Sequence, residues 1–207
     1  DQIFEFFRRL AEDDPAPQTE LEYGNAYQLV VAVALSAQAT DVSVNKATKE
    51  LFGVADTPAK MVALGEEGVA EYIKTIGLWR GKAKNVIALS KIILEQHGGK
   101  TPRTREELVA LPGVGHKTAS VVLNEAFGEA TIAVDTHVFR VSNRTGLAPE
   151  STPEKVEARL LQVVPEQYKK GAHHWLILHG RYHCKARKPM CGTCLIRDLC
   201  QFEDKTL

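Results

Sequence analysis

The chain is poor in cysteine, in long apolar runs and in net charge, and each shortage removes a class of protein. Its four cysteines all fall at position 184 or later, so no dispersed disulfide framework holds the fold, and their clustering points to a metal centre. The longest apolar run, Leu29 to Leu35, is far short of the roughly 20 residues a membrane-spanning helix needs. No basic-then-apolar leader opens the chain either, which predicts a cytoplasmic protein with no membrane partner. The first residue is Asp1 rather than methionine, which predicts residues ahead of it or a processed end. The 26 basic and 26 acidic side chains cancel, so no global charge signals a nucleic-acid partner. What is present, 207 residues with 44% hydrophobic and 25% charged, suits one or two folded domains with a sizeable core.

Alternating Val/Ile/Thr strands bounded by Asn-Gly turns are missing, whereas helix punctuation recurs, so the fold class is all-α. Thr57-Pro58 and Thr152-Pro153 each read as an N-cap followed by proline at the first helical position. Thr104 with Glu107 reads as a capping box before Leu108, and Gly98-Gly99 closes a helical segment from Lys82 to His97. The stretch Ala26 to Ala37 is apolar nearly all round, which predicts a helix buried on most sides. It turns polar abruptly at Gln38.

Charge is segregated along the chain. Residues 1–22 hold two Arg against seven Asp or Glu, whereas Lys169 to Arg197 holds seven Lys or Arg and no acid. That basic stretch restores the possibility of a nucleic-acid partner. The most informative segment is Leu111-Pro112-Gly113-Val114-Gly115-His116-Lys117-Thr118-Ala119, a glycine turn between two helical stretches. Glycines at 113 and 115 allow positive φ and close approach, so their amides can face outward around Val114 at a helix start, where an anion is gripped without any base being read. Spacing alone also allows an ordinary helix–helix turn.

These residues resemble the helix-hairpin-helix DNA glycosylases, and among them the endonuclease III family of bifunctional glycosylases with abasic-site lyase activity. The likeness covers most of the chain: Leu-Ser-Ala-Gln-Ala-Thr-Asp at 35–41, the hairpin at 111–119, Ile132 through Arg140, and His173-His174-Trp175 through the four cysteines. It implies a central helical domain at 19–130 with the hairpin, and a cluster domain made of 1–18 and 131–207. It implies that Lys117 is the amine attacking the sugar C1′, and that Asp135, facing it across a cleft, stabilises the charge that develops there. From spacing alone Lys117 suits a phosphate salt bridge equally well, and Asp135 suits a helix N-cap. Removing the proton of an unperturbed lysine near neutral pH costs roughly 4.6 kcal/mol, so a catalytic amine needs a setting such as a helix's positive end that disfavours the ammonium.

Because a stacked base is out of reach, the target nucleotide must be flipped out. The resemblance assigns Gln38 as the plug and Leu78 as the wedge that fill the gap. Composition alone reads Gln38 as an exposed helix end and Leu78 as core. The implied partner is double-stranded DNA carrying oxidised or ring-saturated pyrimidines or abasic sites, met by a monomer at the nucleoid.

Cys184, Cys191, Cys194 and Cys200 have the spacing C-x6-C-x2-C-x5-C, compact enough for one centre. Spacing decides neither for structural zinc nor for iron–sulfur; the resemblance implies a [4Fe-4S] cluster. Lys185, Arg187 and Lys188 lie between the first two cysteines, so closing that loop would fix three cations facing phosphates. Four or five such contacts would give a salt slope of roughly −4. His173 and His174 point about 100° apart on a helix and read as packing residues beside Trp175. Two rivals remain: a monofunctional adenine glycosylase, which would lack the hairpin lysine and carry a glutamate near Val33, and a noncatalytic hairpin module scaffolded by the cluster.

Overall fold

The computed structural model describes residues 1–207 and is helical throughout. Ten α-helices and two short 3₁₀ turns are joined by loops, with no strand. The chain forms two compact units, one continuous (Thr19–Phe127) and one assembled from both ends (Asp1–Gln18 with Gly128–Leu207). Helix α1 (Gln2–Asp13) belongs to the second unit.

The continuous unit contains α2 (Ala26–Leu35), α3 (Asp41–Val54), α4 (Pro58–Ile73), α5 (Trp79–His97), α6 (Arg105–Val109) and α7 (His116–Phe127). Helix α2 starts where Asn25 Oδ1 accepts the Gln28 N–H at 2.9 Å. It buries Tyr27, Leu29, Val30, Val31, Ala32, Val33 and Leu35 against α3, α5 and α7. A helix apolar all round is stable only in that central place, where each fully buried side chain contributes about 1.5–3 kcal/mol. Thr57 and Thr104 cap α4 and α6, each hydroxyl accepting an N–H three residues on at 3.2 Å. The Thr104 hydroxyl also donates to Glu107 Oε1 at 2.8 Å, so the two side chains of the expected capping box bond to each other. Helix α5 begins at Trp79, three residues ahead of the expected Lys82, because the chain turns into it at Leu78 in the left-handed conformation. It ends on Gly98, with the Gly99 N–H bonded to Ile93 O at 2.9 Å.

The second unit contains α1, α8 (Thr136–Thr145), α9 (Pro153–Val163) and α10 (Glu166–Tyr182), then the 3₁₀ turns Cys191–Thr193 and Arg197–Leu199. Thr152 caps α9 through the Lys155 N–H at 3.2 Å. Phe6, Phe7 and Leu10 of α1 join Val138, Val141, Val156, Leu160, Trp175 and Leu176 in its core. Trp175 Nε1–H donates to Asp14 O at 2.8 Å, and Arg9 reaches Asp198 at 2.6 Å, so α1 is fastened at its C-cap and along its length. Helices α8 and α10 approach closely at Gly180, where a Cβ would stand 2.9 Å from His137 Cβ. His173 and His174 are both buried, with His173 Nδ1 2.9 Å from Ala133 O and the two rings edge to face.

Candidate functional site

The hairpin is α6, a tight turn, and α7. Buried Leu111 and Val114 anchor it, with the Leu111 N–H bonded to Leu108 O at 3.0 Å and the Val114 N–H to Leu111 O at 3.1 Å. Gly113 has φ +81°, and a Cβ there would press on Asn85 at 3.1 Å. Gly115 differs from the expectation of two left-handed glycines: its φ is ordinary, and nothing lies within 4 Å of where its Cβ would be. Its lack of a side chain leaves open space beside an exposed backbone rather than permitting a special turn. The Ala119 N–H bonded to Gly115 O at 2.9 Å opens α7. Arg105 ties the two helices together by donating to His116 O at 2.9 Å and Ser120 Oγ at 2.8 Å. Lys117 is exposed in the first turn of α7, beside the positive end of the helix.

In the other unit, half-buried Asp135 caps α8, one carboxylate oxygen accepting the Val138 N–H at 2.8 Å. The helix-cap reading is therefore correct, and it fixes where the carboxylate stands.

Gln38 and Leu78 lie in the continuous unit with the hairpin. They have φ of +57° and +63°, and with Lys188 at +51° they are the three residues other than glycine with positive φ. Left-handed backbone costs such residues roughly 1–2 kcal/mol each, and it falls at three of the positions singled out as DNA-facing. After α2 the chain closes a turn in which the Ala39 N–H bonds Ser36 O at 3.0 Å, with Gln38 exposed inside it. Leu78 is 65% exposed, which overturns the core assignment that composition suggests. Leu78, Ala37, Lys82, Asn85 and Gly113 line one open groove.

The four cysteines are half-buried free thiols that line one pocket with Arg144, His179, Met190 and Ile196, and no carboxylate lines it. Four thiols facing one pocket fit an all-thiolate metal centre. Burial raises the pKa of the Cys194 thiol, and the neighbouring Cys200, Cys184 and Cys191 add to the rise; a donor set of this kind calls for cationic compensation. Two arginines that sequence reading missed brace the loop. Arg140 donates to Cys184 O at 2.9 Å and Gly180 O at 2.6 Å. Arg144 donates to Lys185 O at 2.7 Å and Ala186 O at 2.9 Å, lies 3.6 Å from Cys184 Sγ and stacks on Phe202. Their spacing of four on α8 was a weak signal, since their partners lie some 40 residues away. Lys185, Arg187 and Lys188 remain exposed on this braced loop.

Residues 31–166 match the HhH-GPD superfamily base excision DNA repair protein family, and residues 184–200 match the iron-sulfur binding domain of endonuclease III. Endonuclease III of Escherichia coli (strain K12) is 60% identical over 201 residues, covering 97% of this chain and 95% of that protein. That of Haemophilus influenzae (strain Rd) is 56% identical with the same coverage. The solved structure of a trapped endonuclease III–DNA covalent intermediate matches with a TM-score of 0.89 at 43% identity, over 97% of this chain and 94% of that one. Hairpin, helical architecture and thiol loop thus recur together over nearly the full length, and the chain belongs to the endonuclease III family of the HhH-GPD superfamily, DNA glycosylases with AP lyase activity that carry a [4Fe-4S] cluster.

Proposed function

We propose that the chain excises oxidised and ring-saturated pyrimidines from duplex DNA and cuts the strand 3′ to the resulting abasic site, with Lys117 as the attacking amine. The observation that carries this reading is local. Between positions 113 and 117 one turn presents the exposed Gly113 and Gly115 around a buried Val114, then an exposed lysine at the positive start of α7.

The hairpin amides grip a backbone phosphate, while Leu78 wedges into the stack and Gln38 fills the space left by the extruded nucleotide. Lys117 Nζ attacks C1′, the C1′–N bond breaks, and the base leaves with its electron pair and takes up a proton. The amine loses its protons as the sugar ring opens to the imine. Loss of a C2′ proton then expels the 3′ phosphate oxygen, which is β-elimination. The Asp135 carboxylate, fixed by its cap bond to Val138, stabilises positive charge on the sugar and assists the proton transfers. Cys184, Cys191, Cys194 and Cys200 would hold the [4Fe-4S] cluster, which would close the loop; the lyase chemistry itself transfers no electrons. Lys185, Arg187 and Lys188 then meet phosphates along a fixed strip. The protein acts as a monomer in the cytoplasm, on nucleoid DNA.

Borohydride trapping on lesion-bearing duplexes tests the assignment. Wild-type protein is expected to form a reduced covalent adduct that mass spectrometry maps to Lys117, and Lys117→Ala to form none. Persistent trapping in that variant, or a sugar attached elsewhere, would overturn it. A noncatalytic hairpin module would bind the same duplexes without nicking them.

A further inference from the structure

Lysine is almost never fully buried unless paired, and a cation in the first turn of a helix opposes the helix dipole. Lys82 has both handicaps. It sits in the first turn of α5 and is only 7% exposed, and burial lowers its pKa. A methionine would fill the same space without either cost, so core packing does not account for the charge.

Its bonds do account for it. Lys82 Nζ donates to Leu35 O at 2.9 Å and to Ala37 O at 2.7 Å, at the end of α2. That helix has no basic residue in its own last turn, so an ammonium from α5 supplies the positive charge that its negative end favours. The turn's own bonds use the carbonyls of Ala32, Val33 and Ser36, and Lys82 takes those of Leu35 and Ala37. Ala37 immediately precedes Gln38. Its backbone N–H makes the bond that opens α5, to the N-cap carbonyl of Leu78 at 3.1 Å, so the ammonium is carried on the turn that Leu78 begins. One residue is therefore bonded next to Gln38 through its side chain and directly to Leu78 through its backbone, and these two neighbours are both left-handed.

We propose that Lys82 is a positioning residue that couples Gln38 to Leu78, so that plug and wedge enter the duplex as a single body. The inference rests on the reading of Gln38 and Leu78 as inserting residues. Without the ammonium, the Ser36–Ala39 turn keeps its closing bond but loses the one at Ala37 O that ties it to α5, and each inserting residue must be ordered separately when DNA binds.

The test compares Lys82→Met, which keeps length without charge, and Lys82→Gln, which keeps a donor, as full chains with the cluster loaded. Each is assayed in single turnover on an abasic site in duplex DNA and on the same oligonucleotide as a single strand, which has no paired stack to enter. Loss of a buried charge-assisted bond predicts roughly a tenfold fall for Lys82→Met on the duplex, with less than about a twofold change on the single strand and a smaller duplex loss for Lys82→Gln. In a Gln38→Ala/Leu78→Ala background, Lys82→Met should add less than about twofold, as expected when residues act through one pathway. Equal losses on both substrates would show a merely structural role and overturn the proposal, as would no loss on either. The Gln38→Ala/Leu78→Ala protein separates the two readings. If it shows no duplex-specific loss, insertion itself is wrong; if it does and Lys82→Met does not, only the coupling fails.

Discussion

On the proposed reading, Leu78 burdens the free protein and contributes only once a duplex is bound. Its φ of +63° costs a leucine backbone energy that glycine would not incur, and 65% of its surface faces solvent. Burying a leucine completely contributes about 1.5–3 kcal/mol, so covering the exposed two-thirds between stacked bases contributes about 1–2 kcal/mol, or roughly 5- to 30-fold in affinity. Leu78→Ala is therefore expected to weaken binding to a duplex carrying an uncleavable abasic analogue by that factor, and binding to undamaged duplex by less than about twofold. Fluorescence anisotropy titration of the two labelled duplexes at one salt concentration reads both. Leu78→Gly should lose the same affinity but be up to about 1 kcal/mol more stable than Leu78→Ala in denaturant unfolding, because only glycine relieves the left-handed strain. Equal loss on both duplexes would refute the wedge, and a Leu78→Gly protein no more stable than Leu78→Ala would refute the strain.

Neutralising Lys185, Arg187 and Lys188 together should lower the slope of log affinity against log salt by about 2.7, at about 0.9 per phosphate contact; an unchanged slope would remove the strip from the interface. Arg144→Ala keeps those three charges but cuts the bonds to Lys185 O and Ala186 O, so the loop should lose about 1–3 kcal/mol of local stability. Its iron–sulfur absorbance should then decay faster under chelator than in the wild type, and an equal decay rate would count against the brace. Tyr27 has its pKa pushed up to about 12, chiefly by burial, while its hydroxyl bonds Ser90 at 2.6 Å. A raised folded-state pKa means this contribution to stability is complete below about pH 10, the value for a free phenol, and is lost as pH rises through 12. Tyr27→Phe should therefore lose stability less steeply than wild type between those limits in denaturant titrations, and parallel slopes would contradict the assignment.

Local rules made much of the framework readable. Thr57, Thr104, Thr152 and Asp135 each cap the helix that follows, because a hydroxyl or carboxylate three residues before a free N–H needs nothing distant to act. The burial of α2 followed from its composition in the same way. The hairpin was readable because the whole motif lies in one short segment. Lys82, Arg140 and Arg144 were not, since their partners are carbonyls 40 or more residues away, and a carbonyl leaves no mark in the residue code. The conformations of Gln38 and Leu78 were hidden for the converse reason. Neither residue type favours positive φ, so local propensity points away from the geometry that tertiary bonds impose. Gly115 misled in turn, since a glycine can signal open space as well as a special turn.

The discontinuity of the second unit has a consequence for synthesis. Helix α1 leaves the ribosome ahead of the other helices described, yet α10 and the turn carrying Asp198, which cover Phe6, Phe7 and Leu10 and fasten Arg9, follow all of them. At about 5–20 residues per second that delay lasts roughly ten to thirty seconds, while the continuous unit between them can fold. Throughout it the nascent α1 carries Phe6 and Phe7 without the later-made residues that cover them, and any pause late in the message lengthens that exposure.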